Sequence, residues 1–535
     1  MNRNEQIAKL NSIKEFDICI IGGGATGLGI AVDAASRGYK TVLLEKHDFA
    51  KGTSSRSTKL VHGGVRYLQQ GNIKLVMEAL KERGLLRKNA SHLVKNQSFV
   101  IPNYKWWEHP FYGIGLKVYD WMAGSLGLGP SQFLSKEETL QLAPTLDPEG
   151  LRGGILYHDG QFDDARLAIH LAMTAADLGA VVINYMSVEA LLKTNTGPNV
   201  KDGQKKVCGV AAKDMLSGTE FIEVRAKAVI NATGVFTDLI LKMDDAGAEK
   251  MISPSQGIHL VFDKEFLPSG TAVMIPKTDD GRVLFAVPWH NKVVVGTTDT
   301  PVDNVSAEPV ALEQEIEFVM NHIVKYLGKD PAYSDIRSVF AGLRPLVKGN
   351  TKVTAALSRD HHIAVSESEL ISITGGKWTT YRKMAEDVME IALYKAGLPE
   401  VECKTKDLRI HGYRKNTDYN EPLYYYGADK EKVQSLIAND KSLAEFLHPS
   451  LPFIKAEIVW AVHNEMCMTA EDALARRTRS LLLDARAAIE AAPLVARIMA
   501  KEMGKNNDWI TTQVNNFISV AVNYLPRSEI ITLKS

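Results

Sequence analysis

The sequence has no excess of charge of either sign. Lysine plus arginine and aspartate plus glutamate number 63 each, so the formal net charge of the 535-residue chain is zero. Such a chain has no bulk attraction to polyanions, which argues against nucleic acid as a partner. Charged residues make up 24% and hydrophobic residues 45%, as in ordinary folded globular proteins. The length predicts two or three domains with a large core, which is typical of an enzyme.

Cysteine is scarce, and no two cysteines form a CxxC pair. The four are Cys19, Cys208, Cys403 and Cys467. This wide spacing argues against a disulfide framework, a zinc site and an iron–sulfur cluster. We therefore expect no metal and a reducing compartment.

Long apolar runs are also missing. No segment approaches the roughly 18–20 uncharged apolar residues that a membrane-spanning helix needs. Residues 1–15, MNRNEQIAKLNSIKE, are polar and lack the apolar stretch and cleavage site of a secretory signal. We therefore expect a protein that stays in the cytoplasm and whose membrane contact is peripheral.

The N-terminal segment predicts a β-α-β unit. A β-branched run, FDICII, leads into GGGATG, then into LGIAVDAAS with helical spacing and into a second strand, TVLLE. Gly22, Gly24 and Gly27 form the pattern GxGxxG, which permits a tight turn, close approach of a pyrophosphate and helix–strand packing. Glu45 ends the second strand, where its carboxylate can accept from ribose hydroxyls. The unit predicts a dinucleotide site, but nicotinamide and flavin cofactors share this geometry.

Two later segments also run from a strand into a glycine turn. They are VINATG at 229–234 and ISITGGKWTTY at 371–381. The second leads into a predicted helix, whose N-terminus stabilises an anion. Reduced flavin carries negative charge near N1 and O2, so this helix end favours a flavin, although a simple tight turn explains the segment equally well when it is taken alone.

The order of the motifs resembles the FAD-dependent glycerol-3-phosphate dehydrogenases, in particular the aerobic, membrane-associated bacterial enzymes and their mitochondrial relatives. The resemblance rests on DICIIGGGATGLGIAVDAASRG, KGTSSRSTKLVHGGVRYL, DGQFDDARL, VINATG, VPWHNKVVVGTTDT, AGLRPL, SRDH and TGGKWTTYRKMAED. It implies non-covalent FAD, and oxidation of sn-glycerol 3-phosphate to dihydroxyacetone phosphate by hydride transfer from C2 to flavin N5. It also implies a membrane quinone as electron acceptor and a peripheral position at the cytoplasmic face of the inner membrane, with a homodimer as one arrangement.

The resemblance implies the fold as well. We expect an α/β protein with a Rossmann-like FAD-binding domain, an interleaved substrate domain with a mixed β-sheet, and an all-helical C-terminal domain, to which the helical pattern beyond residue 395 corresponds. The expected segments are 14–84, 155–250 and 350–395 for the FAD-binding domain, 85–154 and 251–349 for the substrate domain, and 396–535 for the helical domain. The implied cofactor contacts are Gly22, Gly24, Gly27, Glu45, Thr53, Ser54, Lys59, Gly234, Gly376, Lys377, Trp378 and Thr379.

A small, doubly charged substrate needs several cations around its phosphate. The candidates within the motifs are Arg66, Arg344, Arg359 and Lys377, with Tyr67 and Thr298 as hydroxyl donors. Taken singly, an arginine is more often a surface residue, and the surrounding motifs make these the candidates. One departure from the family pattern occurs at 255–259, SQGIH, where a lysine often precedes the glycine.

Oxidation of the carbinol also needs a base for the hydroxyl proton. Histidine suits this role because its unperturbed pKa is roughly 6.5. His62, in HGG, and His259, in QGIHLVF, are equally good candidates, and Arg344 is expected to stabilise the developing alkoxide and the reduced flavin. A randomly chosen histidine is more often structural, so both assignments need a geometric test.

Residues 104–121, YKWWEHPFYGIGLKVYDW, contain seven aromatic residues in eighteen, against a chain average of 7%. Aromatic residues with flanking lysines are typical of a membrane interface, but they are equally common in a domain core.

Three alternative functions remain open. They are a glycerol-3-phosphate oxidase that uses oxygen, a flavin-binding regulator without turnover, and an amine oxidase of related fold.

Overall fold

The structure is a computed structural model. It describes residues 1–64, 72–195, 205–218, 221–276, 278, 282–326, 331–348 and 360–526. The strands in chain order are β1 Phe16–Ile21, β2 Thr41–Leu44, β3 Leu60–Val61, β4 Val94–Asn103, β5 Gln132–Leu134, β6 Gly153–Phe162, β7 Val181–Ile183, β8 Met186–Thr194, β9 Lys206–Asp214, β10 Ile222–Asn231, β11 Ser255–Asp263, β12 Ala272–Ile275, β13 Leu284–Trp289, β14 Lys292–Gly296, β15 Thr300–Pro301, β16 Ser338–Arg344, β17 His361–Val365 and β18 Ile371–Gly375.

The α-helices connect these strands and form the C-terminal part of the chain. In chain order they are α1 Arg3–Ser12, α2 Ala25–Ser36, α3 Ile73–Asn89, α4 Glu108–Ala123, α5 Lys136–Leu142, α6 Asp164–Asp177, α7 Thr237–Asp244, α8 Glu313–Tyr326, α9 Tyr381–Ala396, α10 Lys430–Asn439, α11 Lys455–Asn464, α12 Ser480–Leu483, α13 Ala485–Met503 and α14 Asn507–Ala521. Within the described residues, none of these helices combines the length and the apolar character needed to cross a bilayer.

The first sheet has a parallel core in the order β18-β10-β1-β2-β7, with β17 antiparallel at one edge. β8 and β9 extend β10 as an antiparallel arm. All residues of β1 except Asp17 are buried, as expected for a β-branched strand covered on both faces. The parallel order brings the carboxyl ends of β1, β2, β10 and β18 to one edge, which is where open α/β sheets bind ligands.

The second sheet is mixed and runs in the order β15-β11-β14-β13-β12-β4-β6-β3, with β16 paired to β11 and β5 paired to β6. β12 and β4 run parallel to each other. One face of this sheet packs its apolar side chains with α8, and the other packs with α4. The second sheet and the helices on its two faces therefore form a separate layered unit beside the first sheet.

One apolar core extends from the first sheet through α2, α6 and α9 into the C-terminal helices. A buried ion pair crosses the same junction, because Arg166 on α6 lies 2.7 Å from Glu465, with both side chains fully buried. Removing one partner of such a pair would leave an uncompensated charge, so the pair fixes how the helices dock.

These observations confirm the fold class that the sequence implies. Two of the expected domain boundaries need correction. The boundary at 154/155 falls inside β6, all of which pairs in the second sheet, and the boundary at 84/85 falls inside α3. The rest of the domain division stays a prediction.

Candidate active site

The glycine fingerprint forms the turn between β1 and α2. Gly24 is the N-cap of α2, and Gly22 has a φ of 108°, a conformation that L side chains rarely adopt. A Cβ atom added at Gly27 would lie 1.9 Å from the carbonyl oxygen of Gly22, so only glycine permits this approach of helix to strand. The backbone N–H of Ala25 donates to Ser54 Oγ at 2.9 Å, which ties the loop after β2 to the start of the helix.

A cavity of about 350 Å³ opens at this turn, and we call it the fingerprint cavity. Its lining includes Gly22, Gly24, Glu45, Ser187, Gly234 and Gly376. Ser187 Oγ is buried and has no hydrogen-bond partner among the described residues, so it is a polar group available to a ligand at this end of the cavity. A helix N-terminus, close-approaching glycines and an available hydroxyl together fit a dinucleotide.

Glu45 does not face the fingerprint cavity with free oxygens. Its Oε2 accepts from Gly23 N at 2.6 Å, and its Oε1 accepts from His47 N at 2.7 Å. Burial raises the pKa of the Glu45 carboxyl, and the two backbone donors oppose that shift. The carboxylate thus first fixes the glycine turn, and only its remaining lone pairs can accept from ribose hydroxyls.

A second cavity, of about 290 Å³, adjoins the first, and we call it the arginine cavity. The two cavities share Thr53, Pro345, Gly375, Gly376, Lys377 and Trp378 in their linings. The lining of the arginine cavity includes three arginines, Arg56, Arg282 and Arg344, and the apolar side chains of Leu60, Phe99, Met274 and Phe285. A ligand in the fingerprint cavity could thus reach a second, anionic ligand in the arginine cavity.

Arg344, at the end of β16, is held by three contacts. It lies 3.2 Å from Asp299 Oδ1, and its Nη2 donates to Thr297 Oγ1 at 3.0 Å and to the Thr298 carbonyl at 2.9 Å. A Cβ at Gly257 would lie 2.2 Å from Arg344 Nη2, so the glycine of SQGIH makes room for the guanidinium. The guanidinium is thereby oriented before any substrate binds.

His259, on β11, lines the arginine cavity with its ring stacked on Phe340 at a centroid distance of 4.8 Å. Its Nε2 lies 2.9 Å from Thr58 Oγ1, and its buried Nδ1 has no partner among the described residues. Burial lowers the pKa of His259 well below its usual 6.5, and the charges of Lys59 and Arg344 lower it further. The imidazole is therefore neutral at neutral pH.

Comparison with known proteins decides the family. The family model described as FAD dependent oxidoreductase matches residues 17–382, and the model described as the C-terminal domain of alpha-glycerophosphate oxidase matches 368–509. The mitochondrial glycerol-3-phosphate dehydrogenase of Homo sapiens is 41% identical over 571 residues, which cover 100% of this chain and 77% of that protein. The chain belongs to the FAD-dependent glycerol-3-phosphate dehydrogenases.

Three further proteins extend the comparison. The Schizosaccharomyces pombe mitochondrial enzyme is 39% identical, over 94% of this chain and 86% of that one. The structure of the Bacillus halodurans glycerol-3-phosphate dehydrogenase, complexed with FAD, is 30% identical with a TM-score of 0.79, and the match covers 98% of both chains. L-alpha-glycerophosphate oxidase of Mycoplasma pneumoniae, at 18% identity and a TM-score of 0.56, shares the fold over 73% of this chain and 97% of that one. FAD is the cofactor of the family, as the sequence predicted.

The dehydrogenase brings most of the other candidate residues to these two cavities. His62 is partly exposed on the arginine cavity, and its carbonyl accepts from Thr379 Oγ1 at 3.4 Å. Lys377 lines both cavities, and Trp378 Nε1 donates to the Ser54 carbonyl at 2.8 Å. The GGKWTTY turn thus lies where the cavities meet.

Three candidates in the dehydrogenase have roles other than the expected ones. Lys59 lines neither cavity, because its buried ammonium binds Asp164 at 2.8 Å. Thr298 Oγ1 donates to Glu315 Oε1 at 2.9 Å and accepts from Ile258 N at 3.0 Å. The hydroxyl of Thr53 donates to the Leu343 carbonyl at 2.6 Å. Lys59 therefore supports the site from behind, which corrects the prediction that it touches the cofactor. Thr298 and Thr53 line the arginine cavity, although their hydroxyls donate to protein groups, and the contact of Thr298 with the substrate stays a prediction.

Arg66, Tyr67 and Arg359 lie outside the described residues, and their predicted roles stay predictions. Sequence reasoning missed Arg56, which lines the arginine cavity and lies 2.7 Å from Glu308 Oε2. The signal was its position in TSSRSTK, within a loop already expected to touch the cofactor.

Proposed function

We propose that the enzyme oxidises sn-glycerol 3-phosphate to dihydroxyacetone phosphate and passes the electrons to a membrane quinone. The observation that carries the proposal is the set of fixed cations on the arginine cavity, directly beside the cavity that fits FAD. Bound FAD supplies the acceptor for the hydride that leaves C2 of the substrate. The residues of the chain must then hold the phosphate, orient C2 and take up the hydroxyl proton.

Arg344 and Lys377 are the described cations that we assign to these needs, Arg344 on the arginine cavity and Lys377 on the lining that both cavities share. The planar guanidinium of Arg344 presents its donors in a fork that matches a phosphate or an alkoxide oxygen. Its contacts with Thr297 and Asp299 fix the orientation of the fork. We assign Arg66, Tyr67 and Arg359 to the same phosphate on the strength of the family motifs.

His259 and His62 remain the two candidates for the base. A neutral imidazole can accept the hydroxyl proton, and the Thr58 hydroxyl beside His259 Nε2 provides a contact through which that proton can move. His62 lies on the same lining with more exposure. Both are therefore close enough to the substrate cavity to be tested directly.

We predict that His62→Ala or His259→Ala slows anaerobic flavin reduction by glycerol 3-phosphate by roughly 10²- to 10⁴-fold, the usual contribution of a general base, with little change in bound FAD. Because the pKa of His259 lies well below 6.5, a rate that depends on its neutral form should not fall as the pH drops through 6.5. Stopped-flow absorbance at several pH values measures both effects.

The control for the histidine variants is His463→Ala. His463 is half-exposed on the C-terminal helices and binds Glu502 there, remote from both cavities. The flavin of the His463→Ala variant should be reduced at the parent rate. If both His62→Ala and His259→Ala also match the parent rate, neither histidine is the base.

The membrane surface of the protein is proposed to be one side of α4. Phe111, Ile114 and Trp121 are exposed on this helix, and Trp106 is exposed just before it, with exposures of 53%, 65%, 82% and 76% in that order. We call these four side chains the aromatic face. The other side of α4 packs Tyr112 into the core, so the aromatic-rich segment contributes to the domain core on one side and exposes the aromatic face on the other.

We predict that the purified protein cosediments with anionic vesicles and that replacing Trp106 and Trp121 by serine weakens this by roughly tenfold or more, because interfacial binding scales with buried apolar area. Sedimentation with vesicles over a range of lipid concentrations measures it. Tyr394→Ser is the matched control, since Tyr394 is 81% exposed on α9. Equal vesicle binding by the double variant and the parent would reject the aromatic face as the docking surface.

The electron acceptor distinguishes this proposal from an oxidase. The match of residues 368–509 to a domain named for alpha-glycerophosphate oxidase makes oxygen the second candidate acceptor. We expect substrate-dependent reduction of a soluble quinone analogue to exceed peroxide formation in air. Peroxide formed in proportion to substrate, with no quinone reduction, would assign the oxidase activity instead.

A further inference from the structure

The buried side of α4 reaches the loop that carries His62. Tyr119 is 2% exposed, and its hydroxyl accepts from the backbone N–H of Gly63 at 2.8 Å. The same hydroxyl donates to Asp159 Oδ2 at 2.8 Å. One phenol thus links the helix, the loop and β6.

An ion pair holds Asp159, the residue to which the phenol donates its hydrogen bond. Arg83 on α3 donates to Asp159 Oδ1 at 2.8 Å, and both side chains are almost fully buried. Burial and then the negative charge of Asp159 raise the pKa of Tyr119 well above 10. The phenol therefore stays protonated, and its O–H donates the hydrogen bond to Asp159. The orientation of the hydroxyl is therefore set, and its lone pair points at Gly63.

The loop is tightly packed against Tyr119 at Gly63. A Cβ added at Gly63 would lie 2.5 Å from Tyr119 Oη and 2.5 Å from Leu80 Cδ2. Gly63 immediately follows His62, and Gly64 and Asp159 both line the arginine cavity. A shift of Tyr119 must therefore move the backbone beside His62 or break its hydrogen bond.

We propose that Tyr119 is a positioning residue that couples the aromatic face to the loop carrying His62. The inference rests on the proposed function, because it takes α4 as the lipid-facing helix and the arginine cavity as the substrate site. Trp121 of the aromatic face lies two residues after Tyr119 on the same helix. Docking of that face restrains the helix, and through Tyr119 it restrains the loop in its active position.

The test is Tyr119→Phe, which keeps the ring and deletes the hydrogen bonds of the phenol with Gly63 and Asp159, together with a long contact from Arg83 Nη1 at 3.5 Å. We expect its flavin to be reduced by saturating glycerol 3-phosphate roughly 10- to 100-fold more slowly than in the parent, the usual cost of a misplaced catalytic group, and FAD content to be unchanged. We also expect anionic vesicles to accelerate reduction in the parent but not in the variant. A merely structural role would lower the melting temperature without removing the response to vesicles.

The matched control is Tyr112→Phe on the same helix. Tyr112 is also buried, and no hydrogen bond of its hydroxyl is found within the described part of the chain. It should keep the parent rate and the parent response. If Tyr119→Phe does not fold, the double variant Arg83→Met with Asp159→Leu, which replaces the buried ion pair by apolar side chains and removes the acceptor that orients the phenol, should show the same lost response.

Two results would overturn the inference. One is a Tyr119→Phe protein that responds to vesicles as the parent does, and the other is a parent whose reduction rate does not change with vesicles. Neither result contradicts the proposed function. That function fails if glycerol 3-phosphate does not reduce the flavin of the parent under any condition.

Discussion

Arg344→Ala should lower kcat/KM for glycerol 3-phosphate by roughly 100-fold or more, since truncating one member of a buried, hydrogen-bonded charge pair costs 2–5 kcal/mol. The loss has two sources. The guanidinium that we propose binds the substrate is removed, and Asp299, which lies 3.2 Å from it, loses that counter-charge beside the proposed phosphate site. Arg344→Lys keeps the charge but not the fork, so it should recover only part of the activity.

The control for Arg344 is Arg337→Ala. Arg337 immediately precedes β16, so it lies at the other end of the strand that Arg344 ends. Its side chain is 35% exposed and binds Asp263 away from both cavities. Steady-state kinetics with a quinone analogue should show at most about a twofold change, as expected for an exposed ion pair. Similar kinetics for Arg344→Ala and the parent would show that Arg344 does not face the substrate.

Gly27→Ala should weaken FAD binding by roughly 100-fold, since forcing extra atoms into a packed site costs several kcal/mol where nothing can give way. The added methyl would lie 1.9 Å from the Gly22 carbonyl oxygen, which belongs to the backbone and cannot rotate aside. Either α2 moves off β1 or the Gly22 peptide moves, and both changes distort the turn that holds the pyrophosphate. The absorbance ratio of flavin to protein after purification measures the loss.

Gly115→Ala is the matched control for this substitution. Gly115 lies within α4, and a Cβ there has no atom within 4 Å. Alanine is also the better helix former, so the variant should keep its FAD and its fold. A Gly27→Ala protein as yellow as the parent would mean that the fingerprint turn does not hold the cofactor.

The sequence predicted the fingerprint because its determinants are local. Gly22 and Gly24 lie in the turn between β1 and α2, Gly27 lies in the first turn of α2, and this spacing between a strand and a helix specifies the contact. Arg344 and Lys377 were predicted for a similar reason, since each follows a strand end in a motif. Local patterns therefore located both cavities.

The misassignment of Lys59 has the opposite origin. Lys59 is paired with Asp164, which lies 105 residues later, and in the same way the hydroxyl of Thr298, which lines the arginine cavity, donates to Glu315 on a separate helix. Neither partner is visible from the spacing around the predicted residue. Arg56 was overlooked because its place on the arginine cavity depends on the pairing of two distant segments. Which cations face a ligand is decided by tertiary contacts, and sequence patterns only propose them.

The boundary near residue 154 was wrong for a related reason. β6 follows the second-sheet segment in sequence and also leads directly into α6, which packs against α2 of the first layer. A strand and helix joined by a short connection can thus belong to different sheets. The amino-acid composition of the chain does not change at such a domain boundary.

The most direct measurement is an anaerobic titration of the purified protein with sn-glycerol 3-phosphate, following the visible absorbance of the flavin. A yellow protein that bleaches as substrate is added, while Arg344→Ala needs far more substrate to bleach, is the result expected from FAD and fixed cations in adjoining cavities. A protein that binds FAD but stays yellow at any concentration of glycerol 3-phosphate would contradict the account and favour a flavin-binding regulator.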